Sequence, residues 1–147
     1  MGKNRQGRYS EKRGRAVNYK SKNSEIEMKT YQKISLILAV IVAIVIFYVS
    51  SLQFPPNPIP QFSLTSLMYH AGIFFLFTLF LLLSGMPRLN KEFIFIVLMV
   101  SFVYAGLDEL HQFFVPNRVA DIFDFGKDAA GSLISLGFLG LIRRIRK

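Results

Sequence analysis

The sequence predicts an all-α integral membrane bundle of four transmembrane helices with a disordered basic N-terminal arm. Hydrophobic residues make up 52% of the 147 positions, too many for a soluble domain of this length that also carries 18 Lys and Arg. Four apolar stretches each approach the roughly 20 residues needed to cross a hydrocarbon core of about 30 Å. Prolines and short polar connectors punctuate them, as breakers between spans do.

The elements follow in order. Residues 1–33 hold 10 Lys or Arg against Glu11, Glu25 and Glu27. The first part of this arm, to about Asn23, has almost no large aliphatic side chains, so it cannot bury enough surface to fold and is expected to be disordered. Its expected role is to fix topology and touch anionic lipid. Because the formal charge of +9 is concentrated in this arm and at helix ends, no nucleic-acid partner is expected. A cleavable signal peptide fits poorly, since the arm ahead of the apolar run is unusually long. Residues 34–147 form the membrane domain. Helix one is the uncharged run Ile34 to Gln53. Pro55, Pro56, Pro58 and Pro60 then make a stiff, charge-free connector. Helix two runs from Leu64 to Gly85, where Pro87 stops it, and helix three from Phe93 to about Phe114, ahead of Pro116-Asn117. Helix four begins at Asp121, an N-cap candidate, and runs to about Ile142.

The short connectors at Met86 to Glu92 and Val115 to Ala120 make neighbouring helices antiparallel. The arm, the Arg88/Lys91 loop and the Arg143 to Lys147 tail then share one side, which the positive-inside rule makes cytoplasmic. A three-span alternative would leave the last segment short and its basic tail on the wrong side. The expected location is therefore a membrane crossed several times, with both termini on the cytoplasmic side. Ser101/Ala105, Gly126/Ala130 and Gly131/Ser135 are small residues four apart, a spacing that lets membrane helices approach closely.

Chemistry concentrates at the outer ends of three spans. Asp108-Glu109-Leu110-His111-Gln112 closes helix three, and Arg118, Asp121, Asp124 and Asp128 follow. Ionisable groups are costly at hydrocarbon depth and mark functional sites there. At about 1.5 Å per residue, Asp108, His70 and Asp128 all lie about 10 Å below that surface. Asp108, His111 and Gln112 share a stripe of helix three with Tyr104 and Ser101, and Glu109 points about a quarter turn away. Asp121, Asp124 and Asp128 share a face of helix four. Bland readings stand beside these. His70 has a packing role, Asp121 caps a helix, Asp124 helps it, Lys127 pairs with Asp124 or Asp128, and Arg118 reaches into the ring or up to a headgroup. No capping or surface role needs Asp108, Glu109, Gln112 and Arg118 together.

This stretch, from Asp108 through Val115-Pro116-Asn117-Arg118 and Asp121, Asp124 and Asp128 to Gly131, resembles the VanZ-like bacterial membrane proteins. His70, in Met68-Tyr69-His70-Ala71-Gly72, matches their histidine near the start of the second span. The pattern covers about Ile34 to Ile142 and departs at Asn117, where the turn usually has Gly; Asn tolerates a left-handed backbone nearly as well. The resemblance implies site positions at Glu109, Gln112, Arg118, Asp121, Asp124, Asp128 and His70, and a link to teicoplanin-type glycopeptide susceptibility. It implies no reaction and says nothing of the arm.

Three functions compete. A membrane enzyme acting on a lipid-linked or headgroup substrate would use Asp108 or Glu109 as general base and His111 or His70 as proton partner, with Gln112, Arg118, Asp121, Asp124 and Asp128 binding substrate. A ligand-binding protein would take an envelope lipid or a glycopeptide into the same pocket. A purely structural ring would lock helices together. Without cysteine, a metal needs imidazole and carboxylate. A cation would reconcile a phosphate with the acids, but the spacing matches no established motif, so no metal ligands are assigned, and cofactor and oligomeric state stay open.

Overall fold

Four helices, in a computed structural model of the chain, account for nearly all of the regular backbone: α1 (Arg5–Ser50), α2 (Leu64–Ser84), α3 (Lys91–Phe113) and α4 (Ile122–Ile145). The structure describes residues 5–53, 64–86, 89–118 and 120–145, without the side chains of 5–11, 14 and 16. The proline connector at 55–60, Pro87, Arg88, Arg146 and Lys147 lie outside the described residues. All four helices are long and apolar enough to cross a membrane, and no strand occurs among the described residues. The chain is a multi-pass integral membrane protein whose surroundings are lipid.

Boundaries fall where local chemistry puts them. Asn90 caps α3, its side chain accepting from the Phe93 N–H at 2.8 Å. Asp121 precedes α4 and accepts from the Phe123 N–H at 2.9 Å, which realises the expected N-cap. Asn117 takes φ 63°, the left-handed conformation its turn requires. Residues 5–33 continue α1 without a break. Nucleation is the costly step in helix formation, and an apolar span that is already helical removes it. Proline-free sequence rich in Lys, Arg and Glu then propagates, helped by the Lys29–Glu25 ion pair at 2.7 Å, one turn apart. Its described side chains stay almost entirely exposed, so they add little tertiary packing.

The packing is that of a bundle in lipid. Leu, Ile, Val and Phe cover the outside, while Thr78, Ser101, Ser132 and Ser135 are fully buried; lipid solvates apolar surface as well as a core does, so interfaces select small and hydrogen-bonding residues. Thr78 Oγ1 lies 2.9 Å from both Ser101 Oγ and Ser132 Oγ, tying α2, α3 and α4 together. Helix α2 is central and packs against the other three. At Gly131 α4 meets α2 so closely that a Cβ would overlap the Ala71 carbonyl. Ser101, Ala105, Gly131 and Ser135 are all buried at interfaces, but Gly126 and Ala130 are exposed, and a Cβ at Gly126 would meet nothing. That pair faces outward.

Contacts also fix the direction of each helix. The end of α1 meets the end of α3 through Ser50 and Asp108, and the start of α2 meets the start of α4 through His70 and Asp128. Helices α1 and α3 therefore run one way, α2 and α4 the other. Lys91, Arg143 and Arg144 lie at the opposite end of the bundle from this polar cluster.

Candidate functional site

Two polar groups, not one ring, occupy the end where α1 and α3 finish and α2 and α4 begin. The first sits between α1 and α3. Asp108 accepts from Ser50 Oγ at 2.5 Å and from Gln112 Nε2 at 2.8 Å. Next to it His111 Nε2 lies 2.9 Å from Ser51 Oγ, with its ring over Phe47 at a centroid distance of 4.6 Å. Arg118 reaches the end of α1, where its Nη2 and Nε donate to the carbonyls of Val49 and Leu52 at 2.8 and 3.2 Å. Carbonyls at a helix C-terminus carry partial negative charge, so a guanidinium is well placed there.

The second group sits between α2, α3 and α4. His70 Nδ1 lies 3.0 Å from Asp128 Oδ1, and His70 Nε2 lies 3.6 Å from Asp124 Oδ2. Asp124 is paired to Lys127 at 2.5 Å, and Lys127 also donates to Ser66 Oγ at 2.9 Å. Asp124, one of the two partners expected for Lys127, is engaged in this ion pair. Glu109 turns toward α4, where its Oε2 accepts the Asp121 N–H at 2.8 Å. This N–H precedes the first turn of α4, where a carboxylate is favoured. The remaining oxygens, Glu109 Oε1 and Asp128 Oδ2, are buried and have no hydrogen-bond partner among the described residues.

The quarter turn between Asp108 and Glu109 thus divides the expected site. His70, Glu109, Asp124, Asp128 and Lys127 gather in one pocket, with Asp121 at its rim. Asp108, His111, Gln112 and Arg118 gather around the end of α1. Ser50, Ser51 and Ser66 complete these clusters and were not singled out from sequence. Their signal was weak: hydroxyl residues at the mouth of a span, within a few residues of its end.

The pocket is buried and acid-rich, with one imidazole. Asp128 is 0% exposed, His70 7% and Glu109 8%. One donor atom from each of the three can be chosen so that all lie within 4.8 Å of one another. Such an arrangement can accept hydrogen bonds, pass a proton between imidazole and carboxylate, or hold a cation.

Comparison with known proteins agrees with the sequence pattern and extends it. A family model described as VanZ/LLP1 matches residues 15–143, and so begins inside the arm, which the resemblance did not reach. No curated protein and no solved structure matches the chain. With nearly the whole chain covered by that model, this protein belongs to the VanZ/LLP1 family.

Proposed function

We propose that the pocket of His70, Glu109 and Asp128 opens toward the extracytoplasmic side of a bacterial cytoplasmic membrane, and that the protein alters cell-envelope or teicoplanin-type glycopeptide susceptibility through it. The observation that carries this reading is the pair of buried, unpartnered carboxylate oxygens on Glu109 and Asp128. A brace whose only task is to hold helices together gains nothing from acceptors left empty at hydrocarbon depth, whereas a ligand site needs them. Lys91, Arg143 and Arg144 at the far end support the orientation, since basic residues collect on the cytoplasmic side. Candidate ligands are an envelope lipid headgroup and the glycopeptide itself.

An enzyme acting on a lipid-linked or headgroup substrate is the second reading, favoured by the His70–Asp128 contact at 3.0 Å. There the imidazole is the proton carrier, Asp128 orients it, and Glu109 is the candidate base. Asp108 and His111 serve this chemistry less well, because their contacts lie with α1. They stay candidates for a second role at the mouth of the bundle, with Gln112, Arg118, Asp121 and Asp124 as ligand contacts.

Expression of the chain in a glycopeptide-susceptible bacterium should shift the inhibitory concentration of teicoplanin. The chain has no cysteine, so Asn117→Cys gives a single label point in the turn beside the pocket. It should react with a membrane-impermeant maleimide in intact cells. An unchanged inhibitory concentration, or labelling only after permeabilisation, contradicts the proposal.

A further inference from the structure

His70, Glu109 and Asp128 are more than an acidic cluster, because two of their oxygens are buried with nothing to bind. Asp128 Oδ2 and Glu109 Oε1 have no hydrogen-bond partner among the described residues, on residues 0% and 8% exposed. A buried carboxylate oxygen left unsatisfied is costly, and here there are two, on residues whose donor atoms come within 4.8 Å of one another. The other acids nearby are provided for: Asp124 by Lys127, and Asp108 by Ser50 and Gln112. Two carboxylates and a neutral imidazole together carry two negative charges, which a single dication cancels. Neutrality matters most where solvent cannot screen the charge.

We propose that His70, Glu109 and Asp128 bind one divalent first-row cation, zinc or manganese, through one ring nitrogen and one oxygen from each carboxylate. Donor atoms within 4.8 Å of one another close onto an ion with bonds of about 2.0–2.2 Å by small side-chain rotations. Imidazole with two carboxylates suits these metals better than magnesium or calcium, which take oxygen ligands. The second oxygen of Glu109 is held by the Asp121 N–H, an outer contact of the kind that orients metal ligands. Three protein ligands leave a coordination position open to water or to a phosphate oxygen. A phosphate-bearing headgroup, which bare carboxylates repel, then becomes an acceptable ligand. This inference rests on the reading of the pocket as a ligand site, and its test measures metal directly.

The full chain, purified in detergent without chelator, should carry about one equivalent of zinc or manganese by elemental mass spectrometry, and Glu109→Gln and Asp128→Asn should each lose at least about tenfold in occupancy, the scale of effect expected for ligand-set changes. Ser135→Ala, buried deeper in α4, should keep its metal. Because a variant can fail to fold, the wild-type chain stripped by chelator is also titrated with zinc or manganese alone. Its Tm should rise with metal concentration, by mass action, and that of Glu109→Gln should not. The proposal is overturned if the stripped wild-type chain takes up no more metal than Glu109→Gln and its Tm does not move. An unchanged teicoplanin susceptibility with metal bound would overturn the envelope reading and leave the cation site standing.

Discussion

Gly131→Val is expected to destabilise the bundle by about 3 kcal/mol, the upper part of the range for forced overpacking. A Cβ at this residue overlaps the oxygen, carbonyl carbon and Cα of Ala71, which are backbone atoms of α2 and cannot rotate away. Relief requires α2 and α4 to separate, and that parts His70 from Asp128 and Thr78 from Ser132. Gly131→Ala meets the same atoms and should also destabilise. Gly126→Ala and Gly137→Ala, where a Cβ meets nothing, should be neutral or slightly stabilising, because alanine favours helix over glycine by about 1 kcal/mol. Thermal unfolding in detergent, followed by the monodisperse fraction on size exclusion, separates these outcomes. Equal Tm values for Gly131→Ala and Gly126→Ala would contradict the close approach.

Asp128→Ala should cost the chelator-treated protein about 1–3 kcal/mol, the penalty for leaving a buried polar partner unsatisfied. The loss falls on His70, whose Nδ1 is 3.0 Å from Asp128 Oδ1 and whose side chain is buried. His70→Ala alone should cost a similar amount. The double variant should cost less than the sum, by about 1–2 kcal/mol, the upper part of the coupling measured for hydrogen bonds between membrane helices. Unfolding in mixed micelles for the two single variants and the double variant gives the coupling directly. Strict additivity would mean that the two side chains do not interact.

Helix number, order and ends are legible in the sequence because the bilayer sets a length and breakers set the stops. Leu64 and Asp121 mark the starts of α2 and α4 in both readings. Depth is legible for the same reason: with a fixed rise per residue, His70 and Asp128 had to be level. Direction around the helix axis is not. Asp108 and Glu109 are adjacent and both buried, and which one faces α1 and which α4 depends on where those helices sit around α3, a fact carried by no local pattern. Arg118 is a related case. Its chemistry suggests a carboxylate or a headgroup, and its bonds to the carbonyls of Val49 and Leu52 are visible only once α1 ends beside it.

The central claim is that the pocket works on a ligand rather than bracing the bundle, and Glu109→Gln tests it most directly. The amide keeps the shape of the side chain and an oxygen for the Asp121 N–H, so the fold should be retained. In membranes of the susceptible host, the variant should reach wild-type abundance and lose the whole shift in teicoplanin susceptibility. Abundance falling in step with the phenotype would assign Glu109 to the scaffold, and a full shift at normal abundance would remove it from the site; either result contradicts the account.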